Sequence, residues 1–241
     1  PTRGERVIAW IEKYCRVPEG KDVGKPMRLR DWQKRDIIKI YDNPHRTRRA
    51  IISFGKKNGK TSLAACLLLA HLCGPEARPN SQLVSSAMSR DQAAIVFSLA
   101  AKIVRMSPDL DAVITIRDSQ KQLYCPELGT LYKALSAEAP TTHGISPIFA
   151  LHDELGQVRG PRSELFDAIE TAMSAHAEPL SIIISTQAAT DADLLSTLID
   201  DALAAHDPKT VISLYTADPN IDPFSEEAIR QANPAFGDFQ N

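Results

Sequence analysis

The chain has 241 residues, 43 % of them hydrophobic and 24 % charged, the size and make-up of one soluble α/β domain or a domain with a short appendage. No apolar run reaches the roughly 20 residues needed to cross a bilayer, which sets membrane-spanning classes aside, and the opening residues do not read as a signal peptide. The net charge of −2 conceals a balance of +10 over residues 1–60 and −12 over the remainder, and a basic first quarter fits either an anionic partner such as nucleotide phosphates or nucleic acid, or a solvated surface.

The four cysteines, Cys15, Cys66, Cys73 and Cys125, form no CxxC pair and no matched Cys/His ligand spacing. Cys66, His71 and Cys73 lie close in sequence, but Cys66 and Cys73 are two helical turns apart and His71 points elsewhere. They read as buried packing, with free thiols in a reducing compartment.

Strand-like and helix-like segments alternate after about residue 48, the rhythm of an α/β sheet. Arg49–Phe54 reads as a buried strand entering the turn KKNGKT, and Ser62–Leu72 as a helix apolar nearly all round. Gln82–Ala87 is a second strand and Asp91–Met106 a second helix. Val113–Ile116, Gln122–Cys125 and Thr130–Leu135 read as three short strands, the last two joined by a glycine turn at Glu127–Gly129. Pro147–His152 is a continuous apolar strand ending in Asp153-Glu154. Ser163–Ala175 is helical, Leu180–Thr186 a buried strand, Asp193–Ala205 a helix and Val211–Tyr215 a last strand. Asp218–Phe224 and Asn233–Phe236, rich in Pro, Asn and Asp, read as linker around one short helix.

Three places carry chemistry. The turn Gly55, Lys56, Lys57, Asn58, Gly59, Lys60, Thr61, Ser62 joins an apolar strand to a helix. A phosphate-binding loop needs inward N–H groups, a glycine for close approach, a lysine and a hydroxyl for Mg²⁺, and Gly59, Lys60 and Thr61 supply the last three. The form is deviant, because the usual spacing puts its first glycine at Phe54 and Gly55 stands one residue later. In the acidic pair, Asp153 can hold Mg²⁺ and Glu154 can polarise a water toward the γ-phosphate of ATP. Ser185-Thr186-Gln187 closes the next strand, where it either senses the γ-phosphate or caps the strand end.

With these elements in order, the chain resembles the ATPase domain of terminase large subunits from tailed bacteriophages, most closely the long-tailed branch. The likeness rests on LRDWQKRDI (29–37), KKNGKT, SSAMSRDQAAIVF (85–97), LSAEAPTTHGISP (135–147), HDELGQ (152–157), EPLSIIISTQAAT (178–190) and QANPAFG (231–237). It implies a P-loop NTPase of the additional-strand (ASCE) type, with a mostly parallel sheet flanked by helices. It implies adenine recognition by Gln33 beside Trp32, catalysis by Lys60 and Glu154, and coupling of hydrolysis to DNA movement by Ser185, Thr186 and Gln187. Lys56 stands where the family usually has an arginine acting within the subunit, and keeps the charge without the planar fork. Relatives often carry arginine at the place of His176, and some at His143, so the arginine given to a neighbouring subunit stays open among Arg90, Arg117, Arg159 and Arg162.

The resemblance further implies ATP and Mg²⁺. Its partners would be double-stranded DNA, the procapsid portal protein and the small terminase subunit, met in the host cytoplasm at the portal. The working form would be a homo-oligomeric ring and the isolated domain a monomer. The expected division is residues 1–48 as a basic lid and adenine-motif segment, 49–217 as the ATPase core, and 218–241 as the start of a linker toward a nuclease domain that this chain lacks. A helicase-like translocase is the rival enzyme, and a nucleotide-binding module with a dead site the rival non-enzyme. The intact Lys60, Thr61, Asp153 and Glu154 speak against the latter.

Overall fold

The computed structural model describes residues 1–55, 59–138, 143–216, 220–222 and 224–235. In chain order the elements are α1 (Arg3–Tyr14), α2 (Asp31–Tyr41), β1 (Arg49–Ser53), α3 (Lys60–Cys73), β2 (Gln82–Ala87), α4 (Arg90–Met106) and the single turn α5 (Pro108–Asp111). There follow β3 (Thr115–Arg117), β4 (Gln122–Cys125), β5 (Thr130–Ser136), β6 (Pro147–Asp153), α6 (Glu164–Met173), β7 (Leu180–Ser185), α7 (Leu194–Ala205), β8 (Thr210–Leu214) and α8 (Glu226–Ala232). The strands form one sheet ordered β3-β4-β5-β2-β6-β7-β1-β8. Only the β3–β4 and β4–β5 pairs are antiparallel; the rest are parallel.

The central strands are apolar on both faces because helices cover both. Side chains alternate along a strand, and the alternation sorts the core. Ala50, Ile52, Phe149, Leu151, Ile182 and Ile184 pack with α1–α4. Ile51 and Ile183 pack toward α7, and Ala150 and Val84 toward α6. Helix α3 lies within the first layer, with every residue from Leu63 to Leu72 buried.

Helices α1 and α2 belong to the same core. Thr2 and Glu5 form a reciprocal capping box at the start of α1, which satisfies two N–H groups that the first turn would otherwise leave open. Val7, Ile11 and Cys15 follow on its buried face, and Trp32, Ile37, Ile40 and Tyr41 on that of α2. Helices α1 and α2 thus carry only part of the basic character of residues 1–60, beside inner faces that are apolar.

His71 is a core residue. Its ring stacks on Phe149 at 4.1 Å, its Nε2 lies 2.8 Å from the Tyr41 hydroxyl, and burial pushes its pKa down to about 3. All four cysteines are free thiols, and no group of three metal-ligating side chains occurs among the described residues. The strand expected at 113–116 begins two residues later. The turn α5 carries the chain onward, with the N–H groups of Val113 and Ile114 both donating to Leu110 O.

Candidate active site

The C-terminal ends of β1, β6 and β7 meet at one edge of the sheet, with β7 between the other two. The strand that follows the acidic pair is thus inserted between the acid-bearing strand and the strand that feeds the loop.

From β1 the chain passes through Phe54 to Gly55. Lys56, Lys57 and Asn58 lie outside the described residues. Gly59 caps α3 at φ 69°, a left-handed conformation that glycine takes without steric cost. Lys60, Thr61 and Ser62 open the helix, so the loop's final N–H groups sit at a helix N-terminus, which favours anions.

Asp153 ends β6. Glu154 follows at φ 54°, its N–H donating to Ile184 O at 3.0 Å. The reversed backbone turns its carboxylate onto the Lys60 ammonium, with which it forms an ion pair. The other carboxylate oxygen accepts from Thr186 Oγ1 at 3.2 Å. Ser185 Oγ accepts from Gly156 N at 2.8 Å and donates to Thr186 O at 2.6 Å. Gly156 lies so close beneath that a Cβ there would collide with Thr186 O. Ser185 and Thr186 therefore hold the turn that carries Glu154, while Gln187 is exposed.

Asp153 is 6 % exposed and its Oδ1 has no hydrogen-bond partner among the described residues. Burial raises its pKa to about 6, against the pull of Lys60. An orphaned buried carboxylate oxygen, with the Thr61 hydroxyl on the adjoining helix start, is the donor chemistry a hard divalent cation takes. Asp153→Asn should therefore lose divalent-cation-dependent turnover and yet melt higher at pH 7.5, because it removes a buried charge. A gain of 1 kcal/mol corresponds to about 2–4 °C at this size, and a calorimetric scan without metal would show it. A lower melting point would mean that the carboxylate is stabilising as it stands.

Beside the loop, a cleft of about 560 Å³ is lined by Gln33, Gly59, Ser62 and Leu63 together with the 17–30 segment, including Lys21, Lys25 and Arg28. Gln33 is fixed there, its Oε1 accepting from Arg30 N at 2.8 Å. Trp32 is placed elsewhere. It is buried behind the loop, edge-on to Phe54 at 5.3 Å and to Tyr215 at 5.6 Å, so it braces the residue that leads into Gly55.

Sequence reasoning gave no structural part to Ala232 and Asn233. Gly55 N donates to Ala232 O at 3.0 Å, and Asn233 occupies the space a Cβ on Gly55 would need. The glycine standing one residue late in the loop is required by this approach of α8.

Of the arginines, Arg90 begins α4 just beyond the C-terminal end of β2. Arg159 and Arg162 lie on the segment between Glu154 and α6, 3.5 Å from Asp193 and 3.9 Å from Asp167 respectively. Arg117 ends β3, the outermost strand, with its guanidinium over the Tyr124 ring. His176 is at the other edge of the sheet, its Nε2 2.7 Å from Ser146 Oγ. His143 is exposed.

A glycine-lysine loop entering a central helix, an acidic pair on the second strand over and an inserted strand between them define a P-loop nucleoside triphosphatase of the additional-strand class. The chain belongs to the terminase large subunit ATPase domain family, whose sequence model matches residues 31–203, and this decides between the terminase and helicase-like readings. It is 55 % identical over 240 residues to the terminase large subunit of Enterobacteria phage HK97, covering 100 % of this chain and 48 % of that protein. The crystal structure of the HK97 large terminase superposes with a TM-score of 0.95 at 54 % identity, over 100 % of this chain and 50 % of that one. The large terminase ATPase domain of Thermus phage P74-26 shares the fold, with a TM-score of 0.53 at 22 % identity over 66 % of this chain and 65 % of that one. The chain thus spans about half the length of the HK97 protein.

Proposed function

We propose that this domain hydrolyses ATP with Mg²⁺ and that hydrolysis drives double-stranded viral DNA into a procapsid, in the host cytoplasm at the portal. The observation that carries the chemistry is the convergence of Lys60, Glu154 and Thr186 around one point at the C-terminal edge of the sheet. Lys60 neutralises charge developing on the β/γ-phosphates. Asp153 and Thr61 would hold Mg²⁺, which would supply positive charge to offset the charge of the phosphates. Glu154 takes a proton from the attacking water. Binding of a triphosphate draws Lys60 from Glu154 to phosphate, and the freed carboxylate stays oriented by Thr186. Lys56, Lys57 and Asn58 complete the phosphate cradle in this reading, and Ser185, Thr186 and Gln187 couple phosphate loss to movement.

Gln33 reads the adenine edge from the cleft, under a lid that the 17–30 stretch of the 1–48 segment supplies, while that segment's helices pack into the 49–217 core. Gln33→Ala should weaken ATP by about 0.5–1.5 kcal/mol, the worth of an ordinary hydrogen bond, and leave inorganic triphosphate affinity unchanged. Equal losses for ATP and GTP in a competition assay would remove the adenine role.

Pulling DNA into a capsid calls for a ring on the portal protein, fed by the small terminase subunit. In the ring, an arginine of one subunit reaches the nucleotide of the next, raising turnover by about 10³ or more. Arg90, Arg159 and Arg162 are favoured over Arg117, which lies toward the far rim. The deciding experiment is ATP turnover per subunit as a function of protein concentration, with and without linear duplex DNA and procapsids. Turnover should rise with each addition. A rate already fast in dilution and flat under all three would leave the P-loop chemistry standing and remove the ring motor.

A further inference from the structure

Two groups of basic residues from the first quarter line cavities, and only one of these lies beside the phosphate loop. Lys21, Lys25 and Arg28 line the cleft beside the loop. Arg3 and Arg6 of α1 and Arg46 after α2 gather at the other end of the sheet, where Arg78 from the α3–β2 connection joins them around a cavity of about 310 Å³. Ile148 at the start of β6 and Leu180 at the start of β7 line its wall, which places it at the N-terminal ends of the parallel strands. A strand of five to seven residues separates it from the phosphate loop by roughly 20 Å.

Three separate segments supply the four arginines, and each arginine is held. Arg3 pairs with Glu76 and stacks over the Tyr41 ring. Arg78 donates to the carbonyls of Ala177 and Glu178, both at 2.8 Å. Arg46 Nε lies 3.7 Å from Glu178, and Arg6 donates one bond to Pro1 O at 3.1 Å. Four guanidiniums against Glu76 and Glu178 leave two positive charges around a concave site. Each guanidinium offers five N–H donors in a fixed fork, more than these contacts use. Arginine forks match the several oxygens of a phosphate better than point-charge ammoniums do.

We propose that this cavity is a second phosphate-binding site, distinct from the nucleotide loop. A phosphate group there meets converging forks on a floor kept neutral by the buried His71. The group can come from a DNA backbone, a source that rests on the DNA-motor reading, or from a free phosphate, which does not.

The test compares the parent with the double variant Arg6→Gln/Arg46→Gln, which alters the two exposed arginines and leaves the braced Arg3 and Arg78. Lys102→Gln/Arg105→Gln on α4 controls for loss of surface charge. Calorimetric titration with inorganic phosphate should count one site fewer in the double variant than in the parent and the control, since any site at the loop is common to all three. Anisotropy of a labelled short duplex should show affinity about tenfold weaker in the double variant, with a salt slope smaller by about 2, one unit for each backbone phosphate no longer neutralised. ATP turnover without DNA should stay within about twofold of the parent, given the distance to the loop. Loss in both binding arms assigns the cavity to backbone phosphate, and loss in the phosphate arm alone assigns it to free phosphate. Unchanged binding in both arms overturns the proposal, as does selective loss of a poly-glutamate peptide, which would make the cavity a protein-docking site. If no protein binds duplex at any salt, the DNA reading fails and the phosphate titration still decides the cavity.

Discussion

Lys60→Ala should lower ATP turnover by at least about 10²–10³-fold, the usual cost of deleting one preorganised stabiliser of transition-state charge, and should weaken ATP binding as well. The lysine stands at the first turn of α3, its stem 11 % exposed, and its ammonium already meets a carboxylate. Removal leaves Glu154 with Thr186 as its hydrogen-bond donor, so a modest loss of stability accompanies the loss of activity. Lys60→Met keeps the stem and separates the two effects. Turnover at the parent's rate in either folded variant would end the assignment of this loop to phosphate.

Glu154→Gln should behave differently. The amide has the size of the carboxylate and still accepts from Thr186 Oγ1, so ATP affinity should stay within a few-fold of the parent. Turnover should fall by about 10²–10⁴-fold, because an amide takes no proton from water. Equilibrium binding of labelled ATP alongside single-turnover hydrolysis separates the two quantities. A variant hydrolysing at the parent's rate would place the base on another residue. The contrast is the sharper result: the lysine change impairs binding and chemistry together, the glutamate change chemistry alone.

Much of this site was legible because its parts are local. Gly59-Lys60-Thr61 follows an apolar strand and opens an apolar helix, so both the turn and its helix-start location can be read within a dozen residues. Asp153 and Glu154 close a run of apolar residues that only a strand buried on both faces would carry. The contacts that turn these parts into a site were not legible, since they depend on pairing between distant segments. The family resemblance implies the inserted strand, but nothing near Ser185 or Thr186 in sequence announces that this insertion of β7 between β1 and β6 brings Thr186 to Glu154. Nor does anything near Gly55 announce Ala232, 177 positions further on. Trp32 and Gln33 are neighbours in sequence, yet the turn of α2 sends one behind the loop and the other into the cleft. The apolar faces of α1 and α2 were obscured by the arginines and lysines interleaved with them, and only the burial of Val7, Ile11 and Trp32 shows two helices serving the main core.

The last residues of β6 also bear on how the chain finds its fold. Asp153 points to the α3 face and His152 to the α6 face, where His152 Nδ1 lies 2.7 Å from Ser86 Oγ and Nε2 lies 3.4 Å from Glu170. Ser86 and His152 are direct partners in the β2–β6 register. Burial alone would raise the pKa of Glu170, but His152, Arg49 and Ser181 outweigh it and hold the carboxylate at about 2. A strand as uniformly apolar as Pro147–Leu151 carries little information about alignment, and parallel pairing forms late because its contacts are distant in sequence. Slipping β6 by one residue would turn His152 toward the apolar α3 layer and Asp153 toward Phe166, leaving Ser86 without its partner and taking His152 from Glu170, which would keep only Arg48, Arg49 and Ser181. Each buried polar group so stranded costs about 1–3 kcal/mol. The histidine next to the acidic pair thus acts as an alignment key, disfavouring mis-threaded sheets before any nucleotide is met.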